Sequence, residues 1–227
     1  RVLKSISELT ENDARSAINN MMVFVNRKML PEAKGETITR EKILVEMGVS
    51  DPAALFPCPA STKYVQRMVP RAASKQVVAE IVGGAQRICL HGEGGAGKTT
   101  SLQEIEQLLP ADSIFVLFDC YGSGSYLDSN AARHLPQDAF LQLCNDLAVY
   151  TRTPLLVGRS ENIDYERVFK KRLDQISAIV AVQNPAAILV IGIDAADNSI
   201  TAASRHVPVE RSFVHDFVRL GTLPRNV

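Results

Sequence analysis

From about Val69 to the C-terminus, apolar positions follow two rhythms. "SIFVLFDC" and "PAAILVIGIDAADN" contain short, nearly continuous apolar runs of the length expected for buried strands. Elsewhere apolar residues recur every three or four positions. Phe140, Cys144 and Leu147 share one face of "QDAFLQLCNDLAVY", and Phe169, Leu173, Ile176 and Val180 share one face of "YERVFKKRLDQISAIVAV". "ERSFVHDFVRL" brings Phe213, Val214, Phe217 and Leu220 to one side, and "SKQVVAEIVGG" reads as a helix stopped at Gly83-Gly84. "YGSGSYLDSNAARHLP" reads as a polar loop. Strands alternating with helices predict an α/β fold, a parallel sheet with helices on both faces.

Residues 1–68 carry a different pattern and form a small helical region or linker ahead of an α/β domain at 69–227. "DARSAINNMMVFVNRKML" places Ile18, Met21, Met22 and Val25 at helical spacing, and this Met-rich stripe reads as core. "TREKILVEMGV" is a second helix with Gly48 as its stop, and "SDPAALF" a capped helical turn with Pro52 at its first position. The prolines of "FPCPAS" then break the structure. No internal repeat and no low-complexity tract is visible.

Composition narrows the class. Lys plus Arg equals Asp plus Glu, at 25 each, so no net field points to nucleic acid and no acidic excess to disorder. The hydrophobic share of 46% supports a sizeable core. The longest apolar run, "AAILVIGI", is too short to span a bilayer, and the residues from Arg1 onward, which begin without Met as in a trimmed chain, show no signal-peptide pattern. Cys58, Cys89, Cys120 and Cys144 show no metal-ligand spacing and read as buried free thiols of a cytoplasmic protein. His91, His134, His206 and His215 form no visible ligand cluster, so no metal is expected beyond nucleotide-bound Mg²⁺.

The densest chemical signal is "HGEGGAGKTT", His91 to Thr100. It fits G-x-x-x-x-G-K-[ST] with Gly92, Gly97, Lys98 and Thr99 at the fixed places, and Gly94 and Gly95 add two more residues without a Cβ. Such a loop can turn successive N–H groups inward around phosphate oxygens. Gly92, Gly94, Gly95, Ala96, Gly97, Lys98, Thr99 and Thr100 are the candidate phosphate-binding set. Lys98 supplies charge to the β- and γ-phosphates, and the Thr99 hydroxyl supplies a ligand to Mg²⁺. The flanks suit this role. "RICLHG" reads as a short strand before the loop, and "KTTSLQEIEQLLP" as a helix after it, closed by Pro110. Without these flanks the motif would be only a glycine-rich surface turn.

Phosphoryl chemistry also needs a carboxylate for the metal and a group that orients water. "AILVIGIDAADN" places Asp194 at the C-terminal tip of a strand, where open α/β sheets bind ligands. Asp194 is the candidate metal-side carboxylate, with a helix cap as its plainer reading. Asp197, three residues on, is either the water-activating base or a cap for the helix "NSITAASRH". The strand–helix set built on "SIFVLFDC" lies between the two motifs. That order argues for the additional-strand class of P-loop ATPases over a GTPase-like layout, and no N-K-x-D guanine signature is present.

"HGEGGAGKTT", "LFDCYGSGSY", "ARHLPQDAFLQLCNDLA" and "LVIGIDAADN" together resemble bacterial STAND NTPases, closest to the antiviral (AVAST-type) defence proteins. The resemblance runs from about Phe56 to the C-terminus. It implies an ATP/ADP-dependent switch, set between an N-terminal effector and a C-terminal sensor outside this chain, that oligomerises when a trigger is recognised. It implies Asp194 as the metal carboxylate and Asp197 as the second acidic residue. Related NACHT domains carry an acidic residue where this chain has Asn198, which implies weaker or differently based hydrolysis. "MVPRAAS" is similar to the stretch that meets adenine in these proteins, with Val69 and Arg71 as the candidates. Arg133 and His134 match the pattern without an assigned role.

Two other functions remain open: a small-molecule or nucleotide kinase on the same fold, and an interaction module with a structural nucleotide. A kinase needs an acceptor pocket and an Arg-rich lid, and neither is visible. In the additional-strand class the strand order is 5-1-4-3-2. The strand between the loop strand and "AILVIGID" is then expected to begin near "LPRNV" and to continue past Val227. The sheet is therefore expected to lack its C-terminal part, and the chain to be a fragment with weak hydrolysis.

Overall fold

A computed structural model describes residues 11–29, 37–46, 55–62, 65, 68–128, 133–151, 155–156 and 164–227. Its centre is a pair of parallel strands, β1 (Ile114–Asp119) and β2 (Leu189–Asp194). The register pairs Ile114 with Leu189, Val116 with Ile191, Phe118 with Ile193 and Asp119 with Asp194. Side chains alternate across a strand. Ile114, Val116 and Phe118 therefore share a face with Leu189, Ile191 and Ile193, and all six pack in the main core. Phe115, Leu117 and Asp119 fall on the other face with Gly192 and Asp194. A Cβ on Gly192 would come 2.8 Å from the Phe115 ring, so the strand needs a glycine there.

Two long helices supply most of the core: α5 (Pro136–Thr151) and α6 (Tyr165–Gln183). The residues expected on their apolar faces, Phe140, Cys144, Leu147, Phe169, Leu173, Ile176 and Val180, are all buried. Asp164 caps α6 by accepting from the Arg167 N–H. A short helix, α8 (Phe213–Arg219), inserts Phe213 between the Phe118 and Phe140 rings at 4.8 and 6.2 Å. Before β1 come α3 (Ala72–Val82), capped at Gly83, and α4 (Lys98–Leu108). After β2 comes α7 (Ala196–Arg205). The molecule is thus a mixed α/β fold around a small parallel sheet.

The earlier chain differs from the sequence reading in one instructive way. α1 (Glu11–Lys28) and α2 (Arg40–Glu46) form at the expected places. The Met-rich stripe is only partly core, however: Ile18 and Met21 are half-buried, Met22 and Val25 are exposed, and Phe24, outside the stripe, is buried. Helical spacing alone could not choose between overlapping faces of one helix. The turn expected at 50–54 and the stop at Gly48 lie outside the described residues. Leu55 and Cys58 are buried, and the Cys58 N–H donates to Gln142 Oε1 on α5, so this stretch packs on the α/β body.

Two local differences bear on the site. The polar loop after β1 contains a 3₁₀ turn, Gly122–Leu127, with Ser123 and Gly124 in the left-handed region. "RICLHG" forms no strand. Residues 86–92 make no backbone–backbone bond to another segment among the described residues. A strand is defined by its partner, and among the described residues none stands beside this stretch. The C-terminal segment lies nearby instead. Gln86 Nε2 donates to the Leu223 and Pro224 carbonyls, and Arg87 donates to those of Leu220 and Gly221. On its other side the Leu189 N–H of β2 donates to the Asn226 carbonyl at 2.8 Å. Residues 220–226 thus bridge the stretch before the loop and the free edge of β2. That is where the start of a central strand was expected, although these residues are not themselves a strand. Among the described residues no helix is long and apolar enough to cross a membrane.

Candidate functional site

The glycine-rich loop runs into α4 through Gly97, which has φ 81° and sits at the helix N-cap. An L-residue resists that conformation. A Cβ there would also fall 2.2 Å from the Arg71 guanidinium. Arg71 is tied to the loop from two sides: its Nη1 donates to the Ala96 and Gly97 carbonyls, and its backbone N–H donates to Glu104 Oε1 on α4. That backbone bond holds the Glu104 carboxyl below the usual carboxylate range. Of the two residues assigned near the base, Arg71 is therefore bound to loop backbone, and Val69 is 78% exposed. Gly92, Gly94, Gly95 and Ala96 are exposed, and Lys98 Nζ donates to the Gly92 and Glu93 carbonyls at 2.8 and 2.9 Å. The lysine is folded back over its own loop.

The loop and the acidic strand tip meet. Thr99 Oγ1 donates to Asp194 Oδ2 at 2.7 Å, joining residues 95 apart in sequence. Thr100 follows in the first turn of α4. Burial pushes the Asp194 carboxyl above the usual range, and neighbouring Asp119 adds to the rise. The Thr99 hydroxyl, the Ala195 backbone N–H and Lys98 pull the other way. A buried carboxylate with a second one beside it favours a cation nearby.

Asp119 is a neighbour that the sequence reading left without a role. It is 2% exposed and in register with Asp194. Its Oδ1 accepts from the Tyr121 and Gly122 N–H groups, and its Oδ2 from the Ser61 N–H. It shapes the turn beyond β1 while adding negative charge at the strand tips. Its position at the end of an apolar strand, matching that of Asp194, was the signal for it. Arg133 now has a structural place. It is buried and donates to the Asp119 carbonyl, the Pro59 carbonyl and Ser125 Oγ, tying three segments together behind the site.

Asp197 lies in the first turn of α7 and is exposed. The cap position belongs to Ala195, at φ 53°, with no side-chain cap bond. Neither aspartate is the N-cap, so both capping alternatives fall.

Two expectations need correction. Cys58, Cys120 and Cys144 are buried free thiols, but Cys89 is exposed. It lies on the stretch that forms no strand. The histidines also do form a cluster. His134 Nε2 is 2.5 Å from Glu210 Oε2, and His206 Nδ1 is 3.3 Å from the same oxygen. His206 and Glu210 are four residues apart, but the 76-residue separation of His134 and Glu210 hides the cluster from a spacing rule. Compared with known proteins, the chain matches no family model and no curated relative.

Proposed function

We propose that this chain is the nucleotide-binding module of a STAND-type P-loop ATPase of the additional-strand class, acting as a switch in anti-phage defence. The observation that carries the reading is the Thr99–Asp194 bond. It joins the hydroxyl that follows the loop lysine to a strand-tip carboxylate, the two protein groups a nucleotide-bound Mg²⁺ needs. The donor set fits that ion: one hydroxyl and one carboxylate, both oxygen, with excess negative charge from Asp119. Mg²⁺ held by Thr99 and Asp194 would neutralise charge on the β- and γ-phosphates.

The chain's own residues divide the remaining work. Gly92 to Gly97 present backbone N–H groups to phosphate oxygens, and the N-terminus of α4 adds its dipole. Lys98 leaves the Gly92 and Glu93 carbonyls and turns to phosphate. The exchange costs little, because those bonds are exposed and are replaced by a charge-assisted contact. In this reading Asp197, exposed in the first turn of α7, orients the attacking water. In this proposal the nucleotide state of the site controls self-association, and effector and sensor domains of the same protein read it.

Equilibrium dialysis with ATP and ADP, followed by a phosphate-release assay with and without Mg²⁺, tests the reading. Mg²⁺-dependent binding of both nucleotides with slow release of phosphate is expected. Phosphate transfer to an added acceptor without release to water would favour the kinase. Tight retention with no turnover would favour a structural nucleotide. No binding at all would sink all three.

A further inference from the structure

The triad of His134, His206 and Glu210 lies outside the loop site and draws on three segments. His134 precedes α5, His206 caps the C-terminus of α7, and Glu210 sits in the connection to α8. One ligand atom from each lies within 4.8 Å of the other two. The two imidazole rings are 4.8 Å apart between centroids. From this geometry we infer that His134, His206 and Glu210 form a binding site for a borderline divalent transition ion, with Zn²⁺ the best match.

The chemistry matches. Two imidazole nitrogens and one carboxylate oxygen are a frequent three-ligand set for Zn²⁺, with bonds of about 2.0–2.2 Å. Donors at that distance in a tetrahedron stand about 3.4 Å apart. Glu210 Oε2 already lies 2.5 Å from His134 Nε2 and 3.3 Å from His206 Nδ1. Shifts of about an ångström would place all three around one ion. His134 is 3% exposed, whereas His206 and Glu210 are 28% and 36% exposed. The site is thus anchored in the protein and reachable from solvent. His206 also lines a cavity of about 310 Å³ with Tyr126 and Arg205, so this side of the ring is open. Magnesium is a poor match, since it prefers oxygen and keeps its waters.

The positions of the ligands give the ion a task. It would pin the end of α7 to the start of α5. α7 begins beside Asp194, and Arg133, next to His134, holds the Asp119 carbonyl. The ion would clamp the frame behind the two strand tips. This inference stands without the nucleotide reading, because no loop residue takes part in it.

The test uses the full chain after chelator treatment and dialysis. Zn²⁺ alone is titrated by calorimetry, and Co²⁺ is added separately to report coordination through its visible absorption. One ion per chain is expected, with the Co²⁺ spectrum of a low-coordinate nitrogen–oxygen site. Glu210→Gln and His206→Asn change partly exposed side chains and should weaken Zn²⁺ at least about tenfold, as loss of a direct ligand requires. Their circular dichroism should match the parent. Cys89→Ser and Lys98→Ala should bind Zn²⁺ like the parent, which separates this site from the exposed thiol and from the loop. No uptake of Zn²⁺ by the parent, or uptake unchanged in both Glu210→Gln and His206→Asn, would overturn the proposal and leave a hydrogen-bonded triad.

Discussion

Among the described residues no cation pairs with the Asp146 carboxylate on α5. Gln142 Nε2 donates to both of its oxygens at 2.9 and 3.0 Å, yet burial pushes its carboxyl up to about 6. The unfolded chain would titrate near 3.9. Between these values the folded state holds the extra proton, so stability falls as pH rises from about 4 to about 6 and stays lower above. Asp146→Asn removes the buried charge and keeps a partner for Gln142. It should raise stability by up to about 3 kcal/mol at pH 7.5 and by little at pH 4, since each tenfold difference in proton affinity between folded and unfolded chains is worth about 1.4 kcal/mol. Urea unfolding at the two pH values checks this; an equal gain at both would mean that the charge is not the cause. Thiol accessibility is a second residue-scale outcome. Cys89 is exposed, while Cys58, Cys120 and Cys144 are buried, and burial pushes the Cys120 thiol far above its usual range. An aromatic disulfide reagent should titrate one thiol rapidly in the native protein and all four after denaturation. Two or more fast thiols in the native state would contradict the packing around α5.

At the scale of elements, β2 depends on a missing side chain. Gly192 stands where the Phe115 ring crosses the sheet, and Phe115 is buried and has little room to move. Gly192→Ala should cost about 1–3 kcal/mol through overpacking, readable as a lower urea midpoint at constant slope. An unchanged midpoint would mean the ring swings aside freely. Elements of this kind were legible in the sequence wherever a strong period or apolar run marked them. α5 and α6 bury the faces their spacing indicated, α8 packs its expected face against the core with Val214 and Phe217 half-buried, and both strands end at the expected aspartates. Three things were not legible. "RICLHG" has strand composition, but pairing is decided by a neighbour that local pattern does not encode. Phe24 displaced Met22 because several three- and four-residue spacings overlap on one helix. Arg133 and the His134–His206–Glu210 triad gain their roles from contacts between distant segments, and the sequence could offer only residue types.

On the scale of the whole molecule, the two halves of the site sit on parts joined by identifiable bonds. The loop and α4 reach the sheet through Thr99–Asp194 on one side. On the other, Gln86 and Arg87 reach the C-terminal segment, which Asn226 fastens to β2 and to Ser177 of α6. Asn226→Ala removes both side-chain bonds to Ser177 and should lower stability by about 1–2 kcal/mol. It should also weaken nucleotide binding, because the frame behind the loop loosens; a thermal melt with and without ATP reads both effects. The central claim is that the glycine-rich loop and Asp194 form one site for a Mg²⁺–nucleotide. Its most direct measurement is a calorimetric titration of ATP with Mg²⁺ into the parent chain and into Lys98→Ala. The Lys98 ammonium donates to the Gly92 and Glu93 carbonyls of its own exposed loop, so its removal should leave the fold intact. The account predicts saturable binding by the parent and affinity about ten- to a hundredfold weaker in Lys98→Ala, the loss of one charge-assisted contact. No binding by the parent, or the same affinity in both proteins, would contradict it.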